Sequence, residues 1–85
     1  MEKSKVKAAI YTYVAQELLH GNAGDLREDT PLLDLGVIDS MSIQKVIVFF
    51  ESTFHVKIPD QEVRPENFSS IEKMASFIMS LNANA

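Results

Sequence analysis

Apolar residues recur at helical spacing in three separated stretches, and no other feature of this sequence restricts its fold as much. Val6, Ile10, Val14 and Leu18 lie four residues apart with Ala9 and Tyr13 beside them, so a helix over about 3–20 presents one apolar stripe. Gly21 follows His20 and suits the left-handed residue that ends a helix. Projected at 100° per residue, Ile43, Val46, Ile47, Phe50 and Phe54 share an arc of roughly 100°, which predicts a second helix over about 40–54 with that face inward. Phe49 falls at the edge of this face. Ile71, Met74, Ala75, Ile78 and Leu81 then give the i, i+3, i+4, i+7 pattern of a last helix over about 70–81, with Ser69 and Glu72 at capping-box spacing. Three glycines and three prolines supply too few turns for a small all-β domain.

The connections are uneven. Residues 21–39 read as a long loop, with Gly21, Asn22, Gly24, a charged run from Asp25 to Asp29, and Pro31. A loop of this length is uncommon in a small domain unless it is functional or packed down. Leu32, Leu33, Leu35, Val37 and Ile38 are expected to pin it to the core. His55 to Pro59 reads as an extended exit that Pro59 keeps from becoming helical. Residues 60–68 read as a loop with one short helical turn at Pro65 to Phe68, and residues 82–85 as a frayed tail. The 85 residues have room for one domain, 1–85.

Charge and composition exclude several functions. The formal net charge is −4 and no Lys/Arg cluster is present, so the grouped cations that nucleic-acid binding needs are missing. A mildly acidic surface suits basic protein partners. There is no cysteine, which agrees with a reducing cytoplasm and means that any thioester chemistry needs an imported thiol. Lys7, Thr12 and Gln16 interrupt any signal-like apolar run, and no stretch approaches a membrane span. His20 and His55 have no metal-ligand partner at helical spacing; His20 reads as a favourable charge at a helix end and His55 as a loop residue. Asp25, Glu28, Asp29 and Asp34 lack the alternating spacing of a calcium loop and read as a solvated acidic face.

Chemistry concentrates in Gly36-Val37-Ile38-Asp39-Ser40-Met41, where the loop meets the second helix. Asp39 or Ser40 reads first as a helix cap, since both residue types are standard there. A serine hydroxyl at that place also points outward beside backbone N–H groups and the positive helix end, worth about half a charge, so a phosphodiester on it would be stabilised. Asp39, one residue earlier, suits a divalent cation or a modifying enzyme, and capping by Asp39 is compatible with modification of Ser40. The absence of a Gly-x-Ser-x-Gly elbow and too little chain for a pocket argue against a hydrolase built on Ser40. Met41 and Val48 fall opposite the core face of the second helix and form a narrow apolar seam that the helix cannot bury against its own core.

The ordered set Leu33-Asp34-Leu35-Gly36-Val37-Ile38-Asp39-Ser40-Met41, with Phe54-His55-Val56-Lys57-Ile58-Pro59 after the second helix, resembles the acyl carrier protein family over nearly the whole chain. The resemblance implies an all-α four-helix bundle, three longer helices and one short third helix, with the long loop between the first two. It also implies 4′-phosphopantetheine, taken from coenzyme A and joined to Ser40 by a separate phosphopantetheinyl transferase with magnesium and Asp39 assisting. The arm would carry acyl or aminoacyl groups as thioesters. The chain would catalyse nothing itself and would act in the cytoplasm as a monomer, serving an acyl- or aminoacyl-loading ligase and downstream synthases or transferases. Met41, Val48 and Lys45 would contact these partners, with Val37 and Ile38 extending the surface.

Departures from the family's fatty-acid carriers matter too. Ser42, Lys45 and Ser52 stand where acids are common, and Glu51 is the only acid in the second helix. The Gly-Val-Ile-Asp-Ser-Met form looks more like discrete carriers of specialised pathways, including D-alanyl carriers. A rival expectation is a helical interaction module that keeps the fold and the Met41/Val48 seam without the arm.

Overall fold

The computed structural model describes the chain from Glu2 to Ala83. Helix α1, Lys3–Tyr13, passes directly into a wider π turn at Val14–Leu18, where the Leu19 N–H donates to the Val14 carbonyl at 2.9 Å. The Gly21 N–H then donates to the Ala15 carbonyl at 2.8 Å, so the helix end is underwound over its last two turns. Val6, Ile10 and Val14 are buried as their spacing requires, while the π turn leaves both Leu18 and Leu19 half-buried against the core. Gly21 takes the expected left-handed backbone at φ +86°, but His20 precedes it into that region at φ +52°.

Helix α2 spans Ser40–Phe54, the range its periodicity predicts. Val46 and Phe50 are buried, and Ile43, Ile47 and Phe54 are half-buried at the edges of the same face. His55 ends α2 in the left-handed region, φ +56°, so it is a helix terminator and not simply a loop residue. Glu51 then accepts from the Ile58 N–H at 3.2 Å, which folds the extended exit back along the helix.

The short third helix of the expected bundle is two 3₁₀ turns, Asp60–Glu62 and Pro65–Phe68. The second of these carries Phe68, which is fully buried and stacks on Phe50 with ring centroids 6.1 Å apart. Phe77 meets Phe68 edge-on at 5.8 Å, so one phenylalanine bridges α2 to α3. Helix α3 runs Ile71–Ala83, further than its periodicity suggests. The tail expected over 82–85 is therefore helical as far as it is described, and Asn84 and Ala85 lie outside the described residues. Ser70, not Ser69, caps α3: its hydroxyl accepts from the Lys73 N–H at 3.2 Å, while the Ser69 hydroxyl donates to the Glu66 carbonyl. The described residues contain no β-strand, so the chain is all-α.

An ion-pair group ties the chain ends to the long loop. Glu72, at the start of α3, accepts from Lys3 and Lys7 of α1, each at 2.7 Å. Lys7 also pairs with Glu28 at 2.6 Å, and the Glu72 N–H donates to the Glu28 carbonyl at 2.9 Å. Glu28 is thus a link between loop and helices, where the sequence suggests only a solvated acid. Solvent-exposed pairs of this kind add little stability, and their value lies in fixing register.

Two predictions follow from packing and charge. Phe50→Ala should cost about 3–5 kcal/mol in urea unfolding, and Val48→Ala far less, because only the first opens a core cavity. The reverse ranking would refute the assigned core face. The hydrogen bonds from Lys3 and then Lys7 lower the Glu72 pKa from 4.5 to about 2. The folded carboxyl is the stronger acid, so its contribution is complete above pH 4.5 and is lost as the pH falls toward 2. Because the group is exposed the effect is small: Glu72→Gln should slightly flatten that part of a stability-versus-pH curve, and a steeper acid limb would contradict the assignment.

Candidate functional site

Leu32 is the anchor from which the site is built. Its side chain is fully buried, its N–H donates to the Ser69 carbonyl at 2.8 Å, and its carbonyl accepts from both Val37 and Ile38, at 2.9 and 3.2 Å. The chain returns to the same carbonyl because Gly36 takes φ +75° and reverses direction after Leu33, whose carbonyl accepts the Gly36 N–H at 3.1 Å. Ile38 then enters the core at 1% exposure. This removes Ile38 from the expected partner surface: a residue that seats the loop in the core cannot also face a partner. Val37 is half-buried and keeps part of its surface.

Two residues beyond Ile38, the helix begins. Asp39 is extended, and its Oδ1 accepts from the Met41 N–H at 3.0 Å and the Ser42 N–H at 2.8 Å. These bonds, the one from Ser42 first, hold its carboxyl below the usual carboxylate range. Asp39 is therefore the cap, and the exposed Ser40 is the first residue of α2. The arrangement also changes the electrostatics that the sequence suggests. The Met41 and Ser42 amides are already engaged, so they are not free to grip a phosphate on Ser40.

Further along α2, Met41 is 79% exposed and Val48 65% exposed, and Lys45 is exposed on the same side. A shallow hollow lined by Tyr13, Lys45, Val48 and Phe49 continues this surface toward α1. Phe49 stacks on Tyr13 at 4.2 Å, which explains its edge position: it closes the α1–α2 seam. Two loop residues depart from expectation. Leu26, inside the charged run, is buried, while Leu35 is 63% exposed and pins nothing. An isolated leucine flanked by Asp25 and Arg27 gives no periodic signal, so only the fold reveals it as an anchor.

The site is thus an exposed serine opening a capped helix, set in a small helical domain. Residues 8–78 match the protein family described as "Phosphopantetheine attachment site". The "Probable acyl carrier protein PigG" of Serratia sp. (strain ATCC 39006) is 28% identical over 79 residues, 93% of this chain and 91% of that protein. The "D-alanyl carrier protein" of Streptococcus pyogenes serotype M5 (strain Manfredo) is 34% identical over 53 residues, 62% of this chain and 67% of that protein. A chain of the structure described as "Crystal structure of FAD-dependent dehydrogenase" shares 37% identity and a TM-score of 0.76, over 82% of this chain and 99% of that one. The chain belongs to the phosphopantetheine attachment family and is a carrier protein of the acyl carrier type.

Its prosthetic group is 4′-phosphopantetheine, and the residues present fit it. The Ser40 hydroxyl is exposed, it is not used in the cap, and the ordered turn before it holds it at a fixed place on the surface.

The turn can be tested by itself. No neighbouring atom lies within 4 Å of a Cβ built at Gly36, so Gly36→Ala adds only backbone strain. Urea unfolding should show a loss of about 1–2 kcal/mol. A loss near zero would show that the left-handed turn does not set the start of α2.

Proposed function

We propose that Ser40 carries the phosphopantetheine arm. The observation that supports this most directly is its exposure as the first residue of α2, immediately after the capping Asp39. When bound, the arm supplies the thiol that this cysteine-free chain lacks. The chain contributes the hydroxyl and its placement, and it performs no catalytic step of its own. With the Met41 and Ser42 amides taken by Asp39, those two do not hold the phosphate, which leaves the arm free to swing between enzymes. The Asp39 carboxylate is exposed beside Ser40, where the transferase and its magnesium can meet it.

Met41, Lys45, Val48 and the exposed part of Val37 form the docking surface beside the arm. Among exposed α2 residues, Glu51 is held by the Ile58 N–H, so Lys45 is the charge that most directly faces a partner from this surface. Docking enzymes should therefore present apolar pockets and an acidic group here. The partners are a phosphopantetheinyl transferase, a loading ligase and downstream pathway enzymes. The D-alanyl carrier relative supports an aminoacyl cargo. The similarity to a chain in a structure described as that of an FAD-dependent dehydrogenase supports a flavin enzyme as one downstream partner. Coenzyme A as the donor of the arm supports a cytoplasmic setting for a carrier that acts as a monomer. No helix among the described residues is long and apolar enough to cross a membrane.

Incubation with coenzyme A, magnesium and a broad-specificity transferase should add one phosphopantetheinyl mass to the intact protein, and none to Ser40→Ala. An unchanged wild-type mass, or a modified Ser40→Ala, would contradict the reading.

A further inference from the structure

The sulfur chemistry of this chain is confined to methionine, since there is no cysteine. Of the methionines among the described residues, Met74 is fully buried in α3 and Met79 is packed against the core. Met41 is 79% exposed, more than either Leu35 or Val48. Oxidation of a thioether follows its access to solvent, so Met41 is the sulfur that an oxidant in solution meets first among them.

Its place on α2 gives that exposure a consequence. The Met41 backbone is fixed, because its N–H donates to Asp39 Oδ1 at 3.0 Å, and the residue directly follows Ser40. Lys45 and Val48 lie four and seven residues further on, hence on the same face of the helix. Among the described residues no carboxylate pairs with Lys45. Past Val48 the surface continues into the hollow that Tyr13 and Phe49 line. Of these residues Met41 stands next to the hydroxyl in the chain, and it is the one whose side chain a peroxide can turn from apolar to polar.

We infer that Met41 is a reversible oxidation site that switches docking off. The inference rests on the proposed attachment at Ser40 and on the docking surface beside it. A peroxide transfers one oxygen atom to the thioether. The S–O bond forms as the O–O bond breaks, the sulfur gives two electrons to the peroxide, and water or an alcohol leaves. Seating the polar sulfoxide in an apolar pocket costs free energy where seating the thioether gained it. The new oxygen is also an acceptor within reach of the Lys45 ammonium one turn along, which withdraws from partners the charge they meet on this surface. Met41 contributes nothing to the buried core, so the oxidised chain stays folded while enzymes no longer engage it. Reduction restores the thioether at the expense of two thiols, which leave as a disulfide with one water.

The test is a hydrogen peroxide titration of the full chain. Peptide mass spectrometry should find one added oxygen on Met41 before Met74 or Met79. Loading of the oxidised chain from coenzyme A by a broad-specificity phosphopantetheinyl transferase should fall roughly tenfold in kcat/KM, as expected when one buried methionine contact is lost. The melting temperature should not change, and methionine sulfoxide reductase should restore loading. Met41→Leu has no thioether at this position, so its own loading rate should be the same before and after peroxide. Equal oxidation of Met74 or Met79, loading of the oxidised chain at the untreated rate, a melting temperature that falls with loading, or an equal loss in Met41→Leu would each overturn the inference alone. Failure of the untreated chain to load would overturn the attachment at Ser40 and this inference together.

Discussion

Two hydrogen bonds to one carboxylate oxygen set the position on which the rest of the protein depends. By accepting from the Met41 and Ser42 amides, Asp39 fixes where α2 starts and makes Ser40 its first residue. One residue earlier, Ile38 is sealed in the core, so the capped helix start cannot slide along the loop. A buried residue, a cap and an exposed hydroxyl in succession give the proposed attachment point, Ser40, a fixed place at the start of α2. The cap also engages the Met41 and Ser42 amides, so these two are not available to a phosphate on the proposed attachment residue. For a carrier, whose arm must visit several enzymes, weak retention at the surface is the useful property.

The long loop is ordered by a small number of strong anchors. Leu32 contributes a buried side chain, one donated bond and a carbonyl that accepts twice. Leu26 adds a second apolar anchor, and Glu28 joins the loop to Lys7 and to the first turn of α3. What is left exposed is equally informative. Leu35, Met41 and Val48 remain in water while Leu32, Ile38, Val46 and Phe50 are buried. Met41 and Val48 sit on the α2 surface beside Ser40, and Leu35 on the loop before it.

The three helices are legible because each repeats its apolar residues over several turns, and averaging over turns tolerates local errors. The boundaries of α2 are readable for the further reason that Asp39 and the segment at His55 to Pro59 mark both ends. The π turn is not readable, since one extra residue per turn leaves Leu18 and Leu19 as plausible core residues in either geometry. Adjacent serines explain the misplaced cap of α3: Ser69 and Ser70 have the same chemistry, and only the fold decides which meets the Lys73 amide. In the loop no period exists, so Leu35 and Leu26 exchange the roles that composition suggests. Ile38 fails as a partner residue for a similar reason, because an apolar residue before an exposed site can be either a peg or a contact. Of the candidate site, Asp39, Ser40, Met41 and Val48 stand where their spacing placed them, exposed and in order.

The most direct measurement is fragmentation mass spectrometry of the protein isolated from cells that also make a phosphopantetheinyl transferase. The peptide spanning Asp39–Met41 should carry the arm and release it as a pantetheine fragment on activation, with the modified residue identified as Ser40. An arm found on any other serine or threonine, or a wholly unmodified chain from such cells, would contradict the claim that the capped start of α2 is the attachment point.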